Sequence, residues 1–95
     1  RTSVDKTALT EAIKKAQKEL NEVLLDIFDD VRDLYEEEIG TVPAGLENVW
    51  KQVQRKIEKI ATLSSPSQVQ AAARKVESDI ERWRDRVLES LEAKG

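Results

Sequence analysis

Cysteine, histidine and methionine are all absent from this 95-residue chain, and the first two absences each remove a class of chemistry. Without cysteine there is neither a disulfide framework nor a thiolate metal site. Without histidine there is no imidazole base, no ordinary zinc site and no charge switch near neutral pH. Aromatic residues are few (two Trp, one Tyr and one Phe), as in long surface helices rather than strands. No apolar run is long enough to span a bilayer, and the N-terminus lacks the apolar stretch of a secretion signal, so no membrane partner is expected. The joint absence of Cys, His and Met, with Arg1 rather than Met at the start, is compatible with an engineered or trimmed chain.

Charge is abundant, and its distribution is uneven. Residues 1–18 carry five basic and two acidic side chains, whereas residues 19–40 carry one basic and nine acidic, a swing from +3 to −8. Residues 41–65 are +2 and residues 66–95 are neutral. An acidic central block argues against nucleic acid as a partner there.

The stretch Leu20–Tyr35 organises the chain. Leu20, Val23, Leu24, Ile27, Val31 and Leu34 recur at steps of three and four, while Glu22, Asp26, Asp29, Asp33 and Glu36 fall on the opposite face. That is an amphipathic helix in need of partner helices. The rhythm begins with Leu9, Ile13 and Ala16, after an N-cap expected at Asp5, and continues until Gly40, which suits the left-handed position after a helix. A loop follows over residues 41–45. The second helix places Leu46, Val49, Trp50, Val53, Ile57 and Ile60 inward. Ser65, Pro66 and Gln68 form a capping box with proline at the first helical position, opening a third helix whose inward row is Val69, Ala73, Val76, Ile80, Trp83, Val87 and Leu91. The expected fold is a single all-α domain over residues 1–95. It is an up-down-up three-helix bundle with helices at about 5–39, 45–63 and 66–93.

The expected lengths do not match. At ~1.5 Å per residue the first helix is ~50 Å long, the second ~28 Å and the third ~42 Å. A second helix folding back from Gly40 covers the first only down to about Leu20, which leaves residues 6–19 overhanging with Leu9, Ile13 and Ala16 exposed. Two remedies present themselves. The first helix bends back near Asn21, or the overhang packs on a second chain as a homodimer, its basic residues 1–18 meeting the acidic residues 19–40 in an antiparallel pair. No glycine or proline lies near residue 21, which favours self-association.

Chemistry has little to work with. The carboxylates of Asp26, Asp29, Asp30, Asp33, Glu36 and Glu37 lack the looped spacing of a calcium site, and the simplest reading is a solvated face complementing Lys51, Arg55 and Lys59. The serines cluster at 64–67, where helix initiation explains them, so neither a catalytic residue, a metal site nor a cofactor is expected. Trp50 and Trp83 sit on inward rows and are expected to pack in the core. Arg82, Arg84 and Arg86 flank Trp83, but Asp79, Glu81, Asp85 and Glu89 neutralise the same stretch, so nucleic-acid binding is not expected.

Two resemblances add to this reading. Leu20, Leu24, Ile27 and Val31 with Asp29 resemble the pro-apoptotic helix motif that docks into the groove of Bcl-2-type survival proteins, with Phe28 where that family carries a small residue. That resemblance implies a helix-in-groove binder. Val4–Leu9 through Leu20, and Ser67–Ala73 onward, resemble the first and last helices of FIVAR modules, three-helix repeats of Gram-positive surface proteins. That resemblance implies a non-catalytic bundle in an adhesion architecture.

The apolar arc of residues 20–39 is wide enough to serve a bundle and a protein partner together. The expected partner-binding residues are Leu20, Leu24, Leu25, Ile27, Phe28, Asp29, Val31 and Tyr35. The function expected is a non-catalytic interaction or scaffold module; the alternatives are a purely architectural self-associating bundle and, as the first resemblance implies, an engineered or natural helix-in-groove binder of a Bcl-2-type survival protein.

Overall fold

A computed structural model describes residues 2–94, with side chains described from Lys6 to Ala93. Three helices follow one another. Helix α1 spans Thr2–Glu38 and α2 spans Gly45–Lys59; α3 spans Pro66–Lys94 after a 3-10 turn at Ile60–Thr62. The expected three-helix bundle is therefore what the chain forms. The second helix ends sooner than the expected boundary near residue 63, because Ile60 onward tightens into the 3-10 turn and the Leu63 amide returns to the Ile60 carbonyl at 3.1 Å.

Local chemistry sets the boundaries. At the end of α1 the amides of Ile39 and Gly40 both donate to the Tyr35 carbonyl, at 2.9 and 3.0 Å. Gly40 takes φ 91°, in the left-handed region that glycine enters without strain. At the start of α3 the Gln68 amide donates to Ser65 Oγ at 3.3 Å. The return arm of this capping box lands one residue early: Gln68 Oε1 accepts from the Ser64 amide at 3.2 Å and from Ser64 Oγ at 3.1 Å. At the other end, α1 begins at Thr2, ahead of the cap expected at Asp5, whose side chain lies outside the described residues.

Helix α1 does not bend near Asn21. It is one unbroken helix of 37 residues, and the molecule measures 58 × 18 × 16 Å. A straight helix of that length needs ~55 Å by itself, so α1 sets the long axis. The length mismatch is resolved mainly by α3. Val69 and Ala73 of α3 line one small cavity with Ala12, Ala16 and Leu20 of α1, so α3 starts at the level of Ala16 and runs beside α1 from there. Ala16 is buried, and Leu9, Ala12 and Ile13 are half-buried against the core, where the lengths alone had predicted Leu9, Ile13 and Ala16 exposed. That prediction allowed for cover by α2 only. Along most of its length α1 is flanked by α3, and the α1–α3 interface is the most extensive in the bundle.

The core is a single apolar cluster, and no polar or charged side chain among the described residues is buried in it. Its centre is aromatic. Phe28 packs edge-on to Trp50 of α2 (centroids 5.0 Å apart, planes at 79°) and is stacked on Trp83 of α3 (4.9 Å, 23°). All three helices therefore meet through one ring, an arrangement that adds to plain area burial. Lower down, α2 is tied to α1 by polar contacts. Gln54 Nε2 donates to Asn21 Oδ1 at 3.4 Å, and Gln17 Nε2 donates to the Ile57 carbonyl at 3.1 Å.

Candidate functional site

The eight residues expected to meet a partner divide sharply. Leu20, Leu24, Ile27, Phe28 and Val31 are buried in the chain's own core, and Tyr35 is half-buried against it. Leu25 and Asp29 face solvent, Leu25 with 51% of its surface exposed. In the folded bundle, all four anchors that resemble the pro-apoptotic motif are therefore enclosed in the core, and Phe28 between them packs against both tryptophans. Of the eight, only Leu25 and Asp29, on one flank of α1, are exposed.

That flank forms one wall of a groove. Leu25, Asp29 and Arg32 of α1 stand on one side; Val42, Pro43 and Ala44 of the connecting loop, with Leu46, Glu47 and Trp50 of α2, stand on the other. Phe28 lies at its base, and the cavity volume is about 520 Å³. Among the described residues three large apolar side chains are exposed: Leu25, Ile39 and Val42. Two of the three converge here. The rim carries the carboxylates of Asp29 and Glu47 and the guanidinium of Arg32.

Of the eight expected residues Leu25, Phe28 and Asp29 line this groove; Arg32 beside them and the whole opposite wall were not among those expected. The signal for the second wall was Val42, a branched apolar residue stranded in a short loop between Gly40 and Pro43, where helix periodicity has no say.

The acidic face of α1 does not find the partners expected for it. Among the described residues no ion pair involves α1. The α2 base that does pair is Lys56, whose Nζ lies 3.7 Å from Asp79 of α3, rather than Lys51, Arg55 or Lys59 against α1. The reason is rotational: the carboxylates sit opposite the apolar row, and that row is what faces α2 and α3. No group of three or more carboxylates among the described residues converges to hold a metal ion.

A second groove, of about 570 Å³, runs between α2 and α3 over Trp83, walled by Lys56, Asp79, Arg82, Asp85, Arg86 and Glu89. Its charges alternate in sign, and Arg84 beside it pairs with Asp85 at 3.7 Å. The third cavity, between α1 and α3, is about 230 Å³ and lined largely by alanines and aliphatic stems. Among the described residues no helix is long and apolar enough to cross a membrane.

No protein-family model matches this chain, and neither a curated protein nor a solved structure matches it.

Proposed function

We propose that this chain is a non-catalytic protein-interaction module that presents the outer flank of α1, residues 20–39, together with the loop beneath it. The observation that carries this reading is the convergence of Leu25 and Val42 in one groove with Phe28 at its base and Trp50 on its wall. Exposed apolar side chains are ordinary when scattered, but gathered in a concave site with a charged rim they form a docking surface. The enclosed apolar core also supports the non-catalytic part. Acid–base catalysis draws on ionisable groups whose proton affinity burial has shifted, and no described ionisable side chain is buried. The apolar row of α1, by contrast, serves the bundle itself.

The test is a photo-crosslinking amino acid placed at position 25 in the full-length chain within the producing cell, with the same probe at the exposed Ser78 of α3 as control. A discrete covalent adduct at position 25 and none at position 78 is the expected result. Equal labelling at both positions, or no adduct at position 25, removes the reading. The adduct's mass also separates a foreign partner from a copy of the same chain.

A further inference from the structure

Given the reading of the Leu25–Val42 groove as an interaction surface, we infer that its occupant is a second copy of this chain, bound antiparallel so that the N-terminal half of each α1 lies in the α1–α2 notch of the other. The argument starts from one stripe of α1. Glu11, Lys14, Lys18, Asn21, Leu25, Asp29 and Arg32 follow one another at steps of three and four, so they share one side of the helix. All but Asn21, which is half-buried, are exposed. Read backwards, this stripe is its own complement. With a two-fold axis between Asn21 and Glu22, Glu11 of one copy falls opposite Arg32 of the other and Lys14 opposite Asp29. Lys18 falls opposite Leu25, where its methylenes cover the leucine while the ammonium stays in water. Glu47 lines the opposite wall of the same groove and supplies a second carboxylate in the cavity that Lys14 approaches.

Shape agrees with charge. Helix α2 accompanies only the upper part of α1; its last described polar contact with α1 is Gln17 Nε2 on the Ile57 carbonyl. Below that level the flank of α1 that carries Lys14 and Glu11 has no α2 beside it. Two copies placed antiparallel about that axis set residues 11–14 of each α1, which lie beyond the end of α2, against Asp29 and Arg32 at the upper end of the other's groove, while the two α2 helices, each beside α1 from about Gln17 to Phe28, come to nearly the same height. The interface is isologous and closes on itself, so it makes a dimer and not a filament. None of the side chains it uses is engaged in an ion pair within its own chain among the described residues.

The deciding experiment is sedimentation equilibrium of the full chain over about a hundredfold range of concentration, with two surface swaps, Lys14→Glu and Asp29→Lys. The wild type is expected to form a dimer that weakens with added salt, because the contacts are exposed ion pairs. Each swap alone creates two like-charge contacts in the symmetric dimer and is expected to raise the dissociation constant about tenfold or more. An equimolar mixture of the two is expected to recover the dimer, since in the mixed pair position 14 meets an opposite charge at position 29 in both directions. Circular dichroism of each variant checks that the bundle is intact. A wild type that stays monomeric throughout, or a mixture that fails to recover, overturns the proposal. If the wild type is monomeric while the probe at position 25 gives an adduct of a different mass, the groove keeps its role and the second copy is removed as its occupant.

Discussion

The upper and lower halves of α1 obey one periodicity and end in different states. From Leu20 to Val31 the apolar row is flanked on both sides, by α2 and α3, and Leu20, Leu24, Ile27, Phe28 and Val31 are all buried. From Leu9 to Ala16 the same row has α3 and the 60–65 connection beside it but not α2, and only Ala16 is buried. The residues differ accordingly. The upper half uses large side chains around an aromatic junction, whereas Ala12, Ala16, Ala72 and Ala73 in the lower half pack against the core where two helices approach without a third. An amphipathic pattern announces that a face will be covered, but not how many neighbours will cover it.

Substitutions can break or sharpen this contrast. The largest effect is expected from Leu24→Glu, which puts a carboxylate at a fully enclosed site with no polar partner. Loss of the cooperative thermal transition is the expected result; a variant that still melts cooperatively at an unchanged midpoint would show that α1 is not enclosed as described. Next, Phe28→Ala removes the ring on which Trp50 and Trp83 meet and should cost about 3–5 kcal/mol by urea unfolding, a large share of the ~5–15 kcal/mol typical of small domains. Gly40→Ala should cost about 1–2 kcal/mol. A Cβ there meets no atom within 4 Å, so the cost is backbone strain at φ 91° and nothing else.

In the lower half, Ile13→Ala is expected to cost only about 1 kcal/mol, since a half-buried side chain has half its transfer energy to lose. A cost matching that of Phe28→Ala would erase the difference between the halves. The smallest effect on the monomer's stability is expected from Leu25→Lys, within about 0.5 kcal/mol, because the side chain points outward. Its consequence should appear in association instead, as a weaker dimer in sedimentation. Hydrogen exchange offers a check without substitution: amides of residues 6–14 should exchange faster than those of residues 20–31.

How much of the candidate site was legible follows the same division. Leu25 and Asp29 were identified from the breadth of the apolar arc and the acidic face. The five core residues named alongside them could not be told from surface anchors, because a docking helix and a bundle helix write the same row. The opposite wall from Val42 to Trp50 depends on where a loop folds back, and no spacing rule gives that. The expectation that Lys51, Arg55 and Lys59 would neutralise α1 failed for a related reason. Charge complementarity between two segments does not specify the rotation that would bring them face to face.

What the residues determine alone is local. Three helices, the stop at Gly40, the restart at Ser65-Pro66-Gln68 and the inward rows all follow from hydrogen bonds and side-chain neighbours within about four residues of one another. What only the tertiary structure decides is relational. It sets the height at which α3 begins beside Ala16, the continuity of α1 past Asn21, the packing of Phe28 against two tryptophans (one edge-on, one stacked), and the meeting of Leu25 with Val42. Each of these depends on distances between segments far apart in the chain, and there packing density and helix rotation, rather than sequence spacing, set the result.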